Sequence, residues 1–149
     1  MQKKKQIPMR QKLNVITLGV ADMKKALDFY EEGLGWKRSS ASTENLILFP
    51  LGGIVLALYP RQLLAEDALV EDAETGFSGI TLSYNALSEK EVEEVLEKVK
   101  KLGATILRPA QKAFWGGYYG YFKDPDGHII EVAYNPFWEL DENDNLQLP

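Results

Sequence analysis

The sequence predicts an α+β fold in which two βαβββ modules pair into an eight-stranded, cup-shaped sheet with the helices outside. A β-branched run precedes each of two helical segments that carry an apolar stripe, and further strand-like runs follow each helix. The run 53–59 in the first half also matches the run 127–133 in the second half, as an internal repeat requires. One module alone leaves an open, half-buried sheet, so the two are expected to pair and bury one face against the helices.

The first module is assigned to residues 13–60. A strand at 14–20 leads to Asp22, whose side chain is a typical helix N-cap, and the helix ends at one of two glycines, Gly33 or Gly35. Three strand-like runs follow, at residues 36–42, 45–51 and 53–60.

A less periodic, acidic connector (61–76) with one short helix at 62–66 separates the modules. The second module (77–138) then repeats the order, and Ser88 with Glu91 forms a capping box at the head of its helix. Its predicted strands lie at 77–86, 104–110, 118–122 and 128–136, and an acidic tail expected to be partly ordered follows at 139–149.

Composition excludes several classes of protein. The 149 residues suit one domain, and 45% of them are apolar, which is ample for a packed core. Seventeen basic against 22 acidic residues leave a net charge of -5, which argues against nucleic acid as the main partner. The basic cluster Lys3, Lys4 and Lys5 lies in the N-terminal segment 1–12, which is expected to be flexible and solvated.

Cysteine is absent, so zinc ribbons, thiol catalysis and disulfide scaffolds are excluded. A single histidine, His128, cannot build an HExxH site or any paired-histidine metal site. No run approaches the ~18 apolar residues that span a bilayer. We therefore expect a soluble, cytoplasmic protein that binds neither membranes nor nucleic acid.

Alternation along the strands separates a core face from a face suited to a ligand. Small or polar residues alternate with bulky ones along two strands. The small or polar residues are Thr17, Gly19, Gly79 and Thr81. In the last predicted strand Glu131 lies between Ile130 and Val132, which must face the helices to be buried. The carboxylate of Glu131 is therefore expected to point into the concave side of the sheet.

The segment WGGYYGYFKDPDGHIIEVAYNP (115–136) resembles the C-terminal signature of the vicinal oxygen chelate superfamily, the group of glyoxalases, bleomycin resistance proteins and extradiol dioxygenases. The opening VITLGVADMKKALDFYEEGLGW (15–36) is similar to the first strand–helix unit of the same superfamily. With the doubled order of elements, the resemblance covers roughly residues 12–138. It implies the cup, but no single activity, because this fold hosts many chemistries.

In metal-using relatives four strands each offer one ligand, usually His, Gln or Glu. The resemblance places those positions at Val15, Ala57, Gly79 and Glu131. Only Glu131 is a ligand type, and one carboxylate cannot hold a divalent ion tightly against water. The sequence therefore predicts a cup without a metal ion or other cofactor.

Glu131 is the candidate catalytic residue, with two interpretations. It either accepts a cationic or hydroxylated ligand or acts as a general base, or it is a structural remnant held by a hydrogen bond or an ion pair. The candidate ligand-binding residues are the aromatic side chains Trp115, Tyr118, Tyr121 and Tyr59, with Thr17 and Thr81 as small polar residues that leave room.

His128 directly follows the DPDG turn (124–127) and is interpreted as bonding to backbone groups, because alternation places it on the opposite face from the cup. The turn itself lacks the alternating oxygen ligands of a calcium loop, so it is interpreted as a tight turn.

Two main functions follow. The first is a protein similar to the glyoxalase and bleomycin resistance proteins that binds a small, partly aromatic or cationic molecule in a metal-free cup. The alternative is a glyoxalase-like lyase or isomerase that uses Glu131 as general base. A fold retained for an interaction role is a third possibility. Because relatives often form dimers, we also expect a homodimer.

Overall fold

The computed structural model describes residues 9–73 and 76–148; the cluster Lys3–Lys5 lies outside them. The elements of the first half are β1 (Val15–Val20), α1 (Met23–Leu27) with a π-helical continuation (Asp28–Gly33), β2 (Ile47–Pro50), β3 (Val55–Pro60) and α2 (Arg61–Asp67). Those of the second half are β4 (Leu82–Asn85), α3 (Glu89–Lys101), β5 (Thr105–Lys112), β6 (Tyr118–Lys123), β7 (Ile129–Tyr134), β8 (Glu139–Leu140) and β9 (Leu146–Gln147).

The strands form a three-stranded sheet in the order β1-β3-β2 and a four-stranded sheet in the order β4-β7-β6-β5. In each sheet the first strand of the module pairs in parallel with the last strand, β1 with β3 and β4 with β7. The segments 53–59 and 127–133 therefore occupy equivalent places. This confirms the predicted α+β class and the internal repeat.

Three details differ from the prediction. Residues 36–42 form no strand: the Ser39 amide donates to the Leu48 carbonyl (2.7 Å) and the Leu48 amide to the Ser42 hydroxyl (2.9 Å), which are isolated bonds rather than a ladder. The strands of the two modules form separate sheets of three and four strands instead of one sheet of eight. The predicted strand at 77–86 begins only at Leu82, because Gly79 has a φ of +81° that cannot continue a strand.

The acidic tail also holds more structure than expected, since β8 and β9 pair as a short antiparallel hairpin. Both predicted helix starts are confirmed. The side chain of Asp22 accepts the Lys25 amide (3.2 Å), and the hydroxyl of Ser88 accepts the Glu91 amide (3.1 Å). No helix among residues 9–73 and 76–148 has the length and apolarity needed to cross a bilayer.

One hydrophobic core unites the two modules. Its largest fully buried side chains are Tyr30, Phe29, Phe49, Ile47, Leu58, Val20, Val92, Val99 and Val132. The ring of Phe29 from the first module lies 6.4 Å from that of Phe122 in the second. Helices α1 and α3 therefore pack against the core faces of the sheets, as the apolar stripes predicted, whereas α2 has no buried residue.

A buried carboxylate joins the modules beside this core. Asp124, which is 4% exposed, accepts the hydroxyl of Tyr30 at Oδ2 (2.7 Å) and the amides of Asp126 and His128 at Oδ1 (2.9 and 2.8 Å). The ring of His128 in turn donates from Nε2 to the carbonyl of Gly19 (2.7 Å). These bonds confirm the backbone role predicted for His128 and the tight turn predicted at 124–127.

Burial and the neighbouring Asp124 carboxylate raise the pKa of Tyr30 far above its usual value, so the phenol stays a donor. We expect Tyr30→Phe to lower the free energy of unfolding by about 1.5–3 kcal/mol, because it removes one donor from a buried carboxylate. Urea unfolding measures this loss. Tyr118→Phe is the control, since the hydroxyl of Tyr118 bonds to exposed Glu93 at the surface (2.6 Å) and its loss should leave stability close to wild type. Equal losses in the two variants would contradict the role of Asp124.

Candidate functional site

The outward face of the four-stranded sheet carries two rows of polar and aromatic side chains, placed by the strand register. The first row, across β4, β7, β6 and β5, is Ser83, Glu131, Tyr121 and Arg108. The neighbouring row is Asn85, Ala133, Tyr119 and Gln111. On the opposite face Val132 is wholly buried in the core. The alternation in β7 thus places Glu131 on the face opposite the helices and the core, which is the face predicted from the sequence.

Glu131 lies in the middle of the first row. The hydroxyl of Ser83 donates to its Oε1 over 3.0 Å, and Tyr121 is its neighbour on the other side. Burial raises the pKa of Tyr121, the negative charge of Glu131 raises it further, and the cation of Arg108 lowers it. Glu131 and Arg108 therefore both act electrostatically on the phenol between them.

A groove of about 550 Å³ opens beside Glu131. Its lining residues are Ser83, Asn85, Trp115, Glu131, Ala133, Asn135, Phe137 and Trp138. Three large aromatic side chains therefore surround one carboxylate and a few small polar groups. Concave sites with this mixture of apolar walls and few polar groups are typical of small-molecule binding.

Local backbone geometry explains how the aromatic walls are placed. A Cβ on Gly117 would lie 1.8 Å from the ring of Trp115, so only glycine lets that ring pack against the backbone. After β7, the side chain of Asn135 accepts the amide of Phe137 (2.9 Å), and the resulting turn directs Phe137 and Trp138 back to the groove.

Further aromatic contacts continue from the groove along the sheet. The ring of Trp115 lies 6.3 Å from that of Tyr119, which lies 6.0 Å from that of Tyr121 in an edge-on arrangement. The guanidinium of Arg108 lies over the ring of Tyr119 at 5.7 Å. The groove and this cluster form one continuous surface with an anion near one end and a cation near the other.

The structure brings together only some of the residues singled out from the sequence. Glu131 and Trp115 line the groove, and Tyr121 adjoins it. Tyr118 lies on the helix side of β6, where it bonds to Glu93, so the strand period assigns it to the other face.

The remaining three candidates also lie away from the groove lining. Thr17 and Tyr59 belong to the outward face of the three-stranded sheet, with Thr17 opposite Ala57 and Tyr59 opposite Gly19. Thr81 is exposed and precedes β4. The sequence predicted one cup lined by all six ligand-binding candidates. In the structure Trp115 is the candidate among them that lines the groove, and Tyr121 adjoins it.

Sequence reasoning missed Phe137, Trp138 and Arg108. The first two fell at the edge of a segment interpreted as an acidic tail, although adjacent large aromatic residues in such a segment are a signal for a packing role. Arg108 was missed because irregularities in β5 change which way its side chain faces, and a simple alternation cannot show them.

The side chains at the superfamily's metal-ligand positions do not fit a divalent ion. Val15 and Ala57 have no donor atom, and Gly79 is an exposed glycine outside β4. Within residues 9–73 and 76–148 no group of three or more His, Cys, Asp or Glu side chains is arranged to hold a metal. Glu131 is thus left beside hydroxyl and amide groups rather than beside further strong ligands.

Comparison with known proteins shows what this chain is similar to. A family model described as the Glyoxalase/Bleomycin resistance protein/Dioxygenase superfamily matches residues 12–132. The crystal structure of a glyoxalase-related enzyme from Fulvimarina pelagi superposes with a TM-score of 0.85 at 36% identity, covering 93% of this chain and 99% of that one.

Two curated relatives match at lower identity. The uncharacterised protein YraH of Bacillus subtilis is 29% identical over 125 residues, which cover 81% of this chain and 96% of YraH. The metallothiol transferase FosB of Shouchella clausii is 30% identical over 122 residues, which cover 80% of this chain and 77% of FosB.

We expect Glu131→Gln to lower the pKa of Tyr121, because it removes the negative charge that disfavours the phenolate. The ultraviolet absorbance of tyrosinate measures this titration. Subtracting the titration of Tyr121→Phe, made in the wild-type and in the Glu131→Gln background, isolates the signal of Tyr121. An unchanged or raised pKa would show that Glu131 does not act on this phenol.

Proposed function

This chain belongs to the Glyoxalase/Bleomycin resistance protein/Dioxygenase superfamily, and from that premise we propose that it binds a small organic molecule in the groove beside Glu131, without a metal ion. The ligand combines an aromatic ring with a cationic or hydroxyl group. The observation that carries the proposal is the single carboxylate of Glu131 among Trp115, Phe137 and Trp138.

Each part of the groove favours one part of such a ligand. Aromatic walls stack against a flat ring and also attract a cation over their faces. A carboxylate that loses water in an apolar site costs several kcal/mol unless it gains a partner. The hydroxyl of Ser83 occupies one acceptor site of Glu131, and a carboxylate has further acceptor sites that suit an ammonium or hydroxyl group of the ligand.

Metal-assisted chemistry is not part of the proposal. The relatives named metallothiol transferases carry that activity in their names, whereas Val15, Ala57 and Gly79 of this chain offer no ligand where the superfamily's metal site would be. Binding without turnover therefore fits the residues better than the reactions of metal-dependent members.

A lyase or isomerase that uses Glu131 as general base is the second candidate. The hydroxyl of Ser83 bonds to Glu131 and Tyr121 is its neighbour on β6, an arrangement that can take up and return a proton at the carboxylate. The two candidates differ in what Glu131→Gln does. A binding protein loses affinity, whereas an enzyme keeps most of its affinity and loses turnover.

The proposal predicts that benzylamine, an aromatic cation, quenches the fluorescence of Trp115 and Trp138, and that Glu131→Gln weakens this binding about tenfold, the loss of one charge-assisted contact. The melting temperature should stay nearly unchanged, since Glu131 lies on the outward face of the sheet. Fluorescence titration and thermal unfolding measure the two effects.

Glu93→Gln is the matched control, because Glu93 bonds to Tyr118 on the helix side of the same sheet. This variant should bind benzylamine as the wild type does. If Glu131→Gln instead lowers the melting temperature markedly and spares binding, Glu131 is structural and the groove is not the site.

The homodimer expected from the resemblance is also part of the proposal. Large apolar side chains stand exposed near the groove, with Phe137 at 74% and Phe114 wholly accessible. Large apolar side chains exposed in this way favour a protein contact. We expect sedimentation velocity to give the mass of a dimer, and a monomer at concentrations of tens of micromolar would contradict this.

A further inference from the structure

We infer that Arg108 is the anion-binding residue of the surface that adjoins the groove across Tyr121, so that the ligand is amphoteric, with its cationic group at Glu131 and an acidic group at Arg108. This inference rests on the proposed function and narrows its ligand class. Three observations support it: the irregular path of β5, the contacts that hold the guanidinium of Arg108, and the separation of Arg108 from Glu131 along the first row of the sheet.

The path of β5 places Arg108 on the groove face. Ile106 pairs with Phe122, which faces the core, and Arg108 pairs with Tyr121, which faces the groove. Two residues along β5 therefore correspond to one residue along β6. In a regular strand Ile106 and Arg108 would share a face, but the extra residue, Leu107, turns Arg108 outward.

A second irregularity follows at once. From Arg108 to Gln111 the chain advances three residues, while β6 advances two, from Tyr121 to Tyr119. Gln111 is thereby also kept on the groove face. Bulges that redirect side chains in this way are over-represented next to functional sites.

The two redirected side chains converge on Tyr119. Arg108 donates from Nη1 to the hydroxyl of Tyr119 (3.0 Å) and Gln111 donates from Nε2 to the same oxygen (3.3 Å). With its guanidinium also over the Tyr119 ring, Arg108 is held in place before any ligand arrives. Such preorganisation lowers the entropic cost of ordering the side chain when a ligand binds.

The charge of Arg108 has no carboxylate partner within salt-bridge distance among residues 9–73 and 76–148. Arg38 and Arg61 differ, since each lies 2.6 Å from an acidic side chain. A guanidinium has five N–H donors in a planar fork, and Tyr119 takes one. The remaining donors match the two oxygens of a carboxylate or similar anion.

Arg108 and Glu131 are too far apart to neutralise each other. They stand on β5 and β7 with Tyr121 on the strand between them, which separates their backbones by about 10 Å. The two side chains form no salt bridge with each other. Each is therefore available to a separate group of one ligand that lies across Tyr121.

The test compares 4-(aminomethyl)benzoate, which has both charges, with its methyl ester, which keeps the ring and the amine. Fluorescence titration of the wild-type protein should give about tenfold tighter binding of the acid, the value of one charge-assisted contact. Arg108→Gln should remove this preference, so that the acid and the ester bind with similar affinity. Arg108→Lys should keep part of it, because the charge remains and the fork is lost.

Lys112→Gln is the matched control. It removes one positive charge from the same strand, but Lys112 faces α3 and lies 3.5 Å from Glu89. It should keep the preference for the acid. Equal binding of acid and ester by the wild type, or a preference that survives Arg108→Gln, would overturn the role of Arg108.

The ester separates this inference from the proposed function on which it rests. Ester binding that depends on Glu131 supports the proposed function even if the acid binds no more tightly. If neither probe binds to the wild type, the groove is not the site, and both the proposed function and the role of Arg108 are overturned.

Discussion

The buried carboxylate of Asp124 is the constraint on which the rest of the structure depends. It receives Tyr30 from the first module and two amides of its own turn, so it fixes both the docking of the modules and the connection between β6 and β7. That connection sets the register in which Tyr121 stands opposite Glu131. The geometry of the groove therefore follows from a hydrogen-bond network on the far side of the sheet, where a buried charge must be satisfied.

Sequence alone predicted what regular periodicity controls. In β7 the buried Val132 fixes the face of its neighbour Glu131, and the doubled order of elements gave the fold. Prediction from the sequence failed where the alternation of residues along a strand is interrupted. One extra residue in β5 turned Arg108 to the groove face, and Gly79 interrupted a strand that its apolar neighbours predicted. These are backbone events that a pattern of hydrophobic and polar residues does not record.

The positions of residues outside the strands were harder still to predict from the sequence. Phe137 and Trp138 reach the groove because Asn135 turns the chain back after the last long strand, which is a local hydrogen bond and not a periodic signal. Conversely, Tyr118 follows its strand's period to the helix side, although it belongs to a dense aromatic run. Aromatic density marked the region of the site, whereas backbone direction decided which rings line it.

The hairpin of β8 and β9 continues directly from the segment that forms one wall of the groove, and its connection packs against the first module, where Asn145 Oδ1 would lie 3.2 Å from a Cβ on Gly52. The wall formed by Phe137 and Trp138 thus lies between β7 and the hairpin. The four-stranded sheet includes no residue of this segment. The aromatic wall at Phe137 and Trp138 and the strand that bears Glu131 are therefore separate stretches of chain. Substitutions after residue 135 can reshape the wall without disturbing the sheet that bears Glu131.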